Sequence, residues 1–255
     1  MKIIACHTVP KSLNDEGMNE DVFMSVGTPD DCSRVILADG ATTGFAGGRF
    51  AGSIADAYVS SAAVKWKDII IGARKLFAKQ INPDTLSWSQ KVSYTRGSFS
   101  TVLAVEEKDK GVLVTSVGDS CVFLIDMISC LPVCAFPLDE VSAFNNHPYL
   151  VGSSESDNLL FEPGYRRKYW NGRLFRTAEL SGKWMLCATD ALSAFIIANR
   201  ADGVVMKRFL DSLQTHRRFL KFVGDNRKSG MMHIDDTTAI LLDVQSNRTI
   251  KGHLS

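Results

Sequence analysis

Three β-prone apolar runs, residues 2–9, 21–26 and 33–38, stand before the first helical period of the chain. The last two are joined by the turn residues TPDD, a meander pattern that predicts antiparallel pairing. From Gly48 the period changes. Phe50, Ile54, Ala57, Tyr58 and Ser61, and then Trp66, Ile69, Ile70, Ala73, Leu76 and Phe77, recur at helical spacing. Two helices, or one kinked helix, are expected between about 48 and 80. Strands return at 98–106, 111–117 and 121–126, and again at 184–189. Helical periods follow at 191–200 and 203–222, and a last strand at 237–244. Strands, helices, strands, helices and a strand in blocks predict an α+β fold rather than alternating βαβ units.

Residues 82–96 are polar and fit neither period. Residues 136–183 read as mostly irregular, and so long an insert in a compact domain is usually functional. With no linker, repeat or low-complexity tract, residues 1–255 are expected to form one domain carrying this insert. The chain has 29 basic and 28 acidic residues and no polybasic block, which argues against nucleic acid or an anionic membrane as partner. No apolar run reaches the roughly 18 residues that span a bilayer. The apolar run in MKIIACHTVP is too short for a signal peptide, so a cytoplasmic protein is expected. The six cysteines lack zinc spacing and read as reduced, mostly buried thiols.

The chemistry concentrates where apolar strands stop. Ser33–Ala38 ends on Asp39-Gly40, and Trp184–Thr189 ends on Asp190. Asp235-Asp236 precedes the last strand, Glu20-Asp21 opens another, and Asp119 lies in a tight Gly118-Asp119-Ser120 turn. A carboxylate at the end of a buried strand is costly unless a charge meets it. Singly, each reads as a turn or cap residue, Asp-Gly above all. Their repetition, with no His or Cys cluster beside them, suits an all-oxygen site for Mg²⁺ or Mn²⁺.

Taken in order, Asn19-Glu20-Asp21, Ala38-Asp39-Gly40, Gly47-Gly48, Gly97-Ser98, Val117-Gly118-Asp119-Ser120, Ala188-Thr189-Asp190 and Asp235-Asp236-Thr237-Thr238 resemble the metal-dependent, type 2C protein phosphatases, in a bacterial-type form. The resemblance spans nearly the whole chain. It implies a four-layer α-β-β-α sandwich with two central antiparallel sheets, and a binuclear metal centre at one end. It implies hydrolysis of phosphoserine and phosphothreonine in a protein substrate, with a partner Ser/Thr kinase. Asp39 would bridge two Mn²⁺ or Mg²⁺ ions, the Gly40 carbonyl would bind one, and Asp190 and Asp235 would complete the other. Glu20 and Asp21 would hold metal-bound waters. Asp119 matches a position that helps to bind a third ion, and Asp236 would orient its loop.

Several positions depart from the family pattern. The arginine that grips phosphate ahead of Asn-Glu-Asp is expected near Glu16, which carries the wrong charge. Lys11 and Arg49 are the candidate replacements. Ala191 follows Asp190 where the family has Gly, and Ala194 stands where another Asp is expected, so a third ion loses a ligand. Ala41 occupies the place of a His found in animal members. The insert resembles the family's flap region, with Arg166-Arg167-Lys168 as its basic cluster. The alternative reading is a non-catalytic relative that binds phosphorylated partners.

Overall fold

A computed structural model describes residues 1–12, 17, 19–42, 44–145, 147–154 and 170–245. Glu16, Asn146 and the Arg166–Lys168 cluster lie outside the described residues. One five-stranded antiparallel sheet has the order β1 (Lys2–Val9), β12 (Thr237–Asp243), β11 (Lys183–Ala188), β7 (Cys121–Asp126), β8 (Pro132–Phe136). The other runs β10 (Asn171–Arg176), β6 (Gly111–Val117), β5 (Val102–Lys108), β3 (Asp31–Asp39), β2 (Asp21–Thr28). A two-stranded ribbon pairs β4 (Phe99–Ser100) with β9 (Val151–Gly152).

The sheets pack face to face. Val35 and Leu37, Leu103 and Val105, and Val112 and Val114 meet Val122 and Leu124, Met185 and Cys187, and Ile240 and Leu242 in one core. The intervening residues point outward, because side chains alternate across a strand. On the first sheet, Phe123, Leu186 and Leu241 are covered by α5 (Asp190–Ala198), α6 (Gly203–Ser212) and α7 (His216–Lys228). On the second, Ile36, Val102 and Ala104 are covered by α1 (Gly47–Ser60) and α2 (Trp66–Gln80). Four layers result, and the inner strands are buried on both faces. That is why they read in the sequence as unbroken apolar runs.

The stretch at 82–96 contains a short 3-10 turn, Pro83–Thr85, and a helix α3 (Trp88–Arg96). The long insert is less irregular than expected. Its last part forms β10, whose Asn171–Arg176 register along β6 completes the second sheet, and then the short helix α4 (Thr177–Leu180). The helical period expected over 203–222 is two helices, broken where the Thr215 side chain caps α7 by accepting from the Arg218 N–H. All six cysteines are free thiols; Cys32, Cys121 and Cys187 are buried and the other three half-buried.

Candidate active site

Antiparallel order brings one set of strand ends together. In the second sheet, Asp39 at the end of β3 lies opposite Asp21 at the start of β2. Beside them, Val102 at the start of β5 pairs with Val117 at the end of β6. The turn Gly118-Asp119-Ser120 then crosses to β7 in the first sheet, so the same end of both sheets is shared. There Ala188, two residues before Asp190, pairs with Cys121 and with Ala239, four residues after Asp235. Gly118 has φ +101, and a Cβ on it would strike the Thr101 side chain at 2.8 Å, so this crossing requires glycine.

The aspartates so gathered raise one another's pKa values. Burial and the charges of Asp21, Asp190, Asp119 and Asp235 hold the Asp39 carboxyl well above its ordinary range. Burial, opposed by a hydrogen bond from Thr238 and reinforced by Asp236 and Asp190, raises Asp21 to about 8. Burial with the charges of Asp119 and Asp235 raises Asp190 to about 7, and burial raises Asp119 as well. Oδ2 of Asp21 accepts from the hydroxyls of Thr238 (2.7 Å) and Thr189 (3.2 Å), which tie the two sheets together. Its Oδ1 is buried without a hydrogen-bond partner among the described residues. Carboxylates facing one another this way, one with a bare oxygen, call for a hard cation or for protons. The donor set, all oxygen, fits Mg²⁺ or Mn²⁺. Among the described residues, no three His, Cys, Asp or Glu side chains are already gathered as a finished metal site.

Other carboxylates at this end are differently engaged. Asp236 accepts the backbone N–H of Lys11 through Oδ1 (2.6 Å) and that of Glu20 through Oδ2 (2.8 Å). It clamps the segments that flank the chain leaving β1 and entering β2. Asp235 turns Oδ1 back onto the Asp236 N–H (2.9 Å), and Asp190 accepts its own neighbour's N–H, that of Ala191, at 2.5 Å. Glu20 accepts from Lys11 Nζ (3.1 Å) and from the Thr42 hydroxyl (2.8 Å). Lys11, one of the two phosphate candidates, therefore stands at this end but is tied to Glu20. Arg49 lies on the wall of a groove between the first turn of α1 and α3.

The Gly40 N–H donates to the Glu20 carbonyl at 3.1 Å, and the residue forms a bridge with Ser100. A Cβ on Gly40 would lie 2.3 Å from the Gly47 carbonyl carbon, so the start of α1 presses directly against the Asp-Gly loop. Only a residue without a side chain fits there.

The sequence reading missed one residue that shapes the site. Arg227, buried at the end of α7, donates to the carbonyls of Pro10 (2.7 Å), Val9 (3.4 Å) and Asp235, and to the Thr237 hydroxyl (2.9 Å). Burial lowers its pKa while Asp236, Asp235 and Asp21 pull it up. It holds the loop before β12 against the end of β1. An arginine near the end of an amphipathic helix reads as a surface charge, and no sequence signal marks this one as buried.

No family model and no curated protein matches the sequence. Solved structures do. A bacterial serine phosphatase aligns over 95% of this chain and 98% of its own, with a TM-score of 0.55 and 17% identity. The Mycobacterium tuberculosis serine/threonine phosphatase PstP/Ppp aligns over 94% and 97%, with a TM-score of 0.53 and 14% identity. Stp1 from Staphylococcus aureus aligns over 94% of both chains, with a TM-score of 0.51 and 15% identity. The fold is that of the type 2C protein phosphatases. In this fold the acidic end of the sandwich is formed by the strand ends that carry Asp21, Asp39, Asp119, Asp190 and Asp235. The catalytic domain of PstP has also been solved in complex with two manganese ions, and it aligns over 93% of this chain and 95% of its own at a TM-score of 0.50 and 15% identity.

Proposed function

We propose that this chain is a metal-dependent phosphatase that hydrolyses phosphoserine and phosphothreonine in proteins. The observation that carries the reading is the set of half-buried aspartates, drawn from both sheets to one end of the fold, where desolvation and one another's charges raise Asp21, Asp39 and Asp190. Two divalent cations of the Mg²⁺ or Mn²⁺ kind, when bound there, supply charge neutralisation and an activated water for attack on phosphorus. Asp39 would be shared by both ions, with the Gly40 carbonyl on one and Asp190 and Asp235 on the other. Asp21 and Glu20 would orient water around them, Asp21 fixed by Thr238 and Thr189, and Glu20 by Lys11 and Thr42. Asp119 would serve a third ion, weakly held because Ala194 offers no carboxylate. The manganese complex of PstP, the same fold, supports the choice of ion. No helix among the described residues is long and apolar enough to cross a membrane. The site would work on phosphoproteins, in the cytoplasm, opposite a Ser/Thr kinase.

The test is hydrolysis of an aryl phosphate and of a phosphothreonine peptide with added Mn²⁺. EDTA abolishes turnover, Mn²⁺ or Mg²⁺ restores it, and Zn²⁺ substitutes poorly because no His or Cys is among the donors. Full activity after exhaustive chelation would overturn the metal reading. Turnover of neither substrate would leave the acidic end as a binding site for phosphorylated partners.

A further inference from the structure

The loop that leaves Asp39-Gly40 does not go straight into α1. It first lines a groove of about 570 Å³, whose walls include Phe45, Arg49, Asn82, Ser89, Gln90 and Ser93. Gly48, next to Arg49, lies against Glu20, whose Cα a Cβ on it would meet at 3.0 Å, so the first turn of α1 borders both the groove and the acidic end. Its far wall is α3, a helix that buries none of its residues and is held by its own capping box between Ser87 and Gln90. The helix is anchored through Tyr94, whose ring meets Phe45 edge-on, and it turns Ser89, Gln90 and Ser93 to the groove.

Among the described residues, Arg49 is the one charged side chain on the lining. Its exposed guanidinium makes no hydrogen bond or ion pair among the described residues. A groove with one cation amid amides and hydroxyls complements an extended peptide that carries a carboxylate. We infer that it receives an acidic side chain of the phosphoprotein, flanking the phosphorylated residue, with Arg49 as its counter-ion. The inference rests on the phosphatase reading for the identity of the occupant. It gives Arg49 a partner other than the phosphate itself.

Two assays on the full chain keep the two readings distinguishable. The first is fluorescence anisotropy, in Mn²⁺, of labelled peptides bearing a phosphonate that cannot be hydrolysed, flanked by Glu or by Gln. The second is kcat/KM on the corresponding phosphothreonine peptides and on an aryl phosphate. The Glu peptide should bind about three- to tenfold tighter at low salt. Arg49→Ala should erase the preference, Arg49→Glu should reverse it, and Ser93→Trp, which fills the groove from α3, should erase it with Arg49 in place. A Glu preference that depends on Arg49, without turnover of any substrate, would support the groove and sink the phosphatase reading. Turnover with no Glu-over-Gln preference would sink the groove alone. Equal loss for Arg49→Ala on the aryl phosphate and on both peptides would make Arg49 a phosphate contact and overturn the inference.

Discussion

Asp236 and Asp21 look alike in the sequence, each an acidic residue next to a strand, and they meet opposite fates. Asp236 is buried with both oxygens engaged by backbone N–H groups. Arg227, drawn by its charge, organises the same loop from behind. Asp21 sits directly across from Asp39 with one oxygen bare. The first arrangement is complete and holds the chain together. The second leaves one carboxyl oxygen unengaged among the described residues. Stability and chemistry are thus assigned to neighbouring carboxylates by what surrounds them, not by residue type.

Substitution at Asp39 should break the comparison most sharply. Asp39→Asn should cost about 10³-fold in Mn²⁺-dependent turnover. Yet the metal-free protein should be as stable as wild type or more so, by about 0.5–1 kcal/mol, because Asn carries no charge that burial must desolvate or neutralise with a proton. Paired activity and urea-unfolding measurements check both halves. Loss of stability alongside activity would mean that Asp39 belongs to the structural group.

Asp236→Ala should do the reverse. It leaves the Lys11 and Glu20 N–H groups unpaired and should destabilise the fold by about 2–4 kcal/mol, read in the same unfolding experiment. Activity should follow stability rather than metal concentration.

The third contrast is with pH. Asp21 and Asp190, raised to about 8 and about 7 from an ordinary 3.8, keep their protons in the folded protein after the unfolded chain has lost them. Between about pH 4 and pH 8 the folded state therefore binds more protons, and the metal-free protein loses stability as pH rises. Its Tm should fall by about 2–4 °C per pH unit for each net proton. Saturating Mg²⁺ should flatten the slope, and a metal-free Tm that climbs through this window would contradict the clustered-carboxylate picture. The smallest effect is expected at Lys11, whose Nζ meets Glu20 on a partly exposed surface. Lys11→Ala should change stability by about 1 kcal/mol or less.

The buried strands and the carboxylates at their ends were legible because burial on two faces leaves little but apolar residues until the chain turns. What escaped was two of the four edge strands, those with the weakest apolar runs. Pro132–Phe136 and Asn171–Arg176 are each the outermost strand of their sheet. Half-exposed, with Val133 and Leu174 facing solvent, they lose the apolar signal of inner strands. Helix α3 has no apolar stripe at all, though its Ser87-x-x-Gln90 capping box was readable as a start signal. The division of labour among the aspartates was not readable. It depends on which N–H groups, hydroxyls and cations reach each one from segments up to 225 residues away.

The position of β12 carries a consequence for how the molecule comes into being. It is the latest of the described strands along the chain, yet it lies inside its sheet, between β1 and β11. The sheet cannot close, and Asp235 cannot join Asp39, until residues 237–243 have left the ribosome. A sheet sealed by its last-made strand folds slowly, through contacts of high sequence separation. During synthesis Asp21 and Asp39 can therefore meet within their own hairpin, whereas Asp235 joins them only with the closing strand.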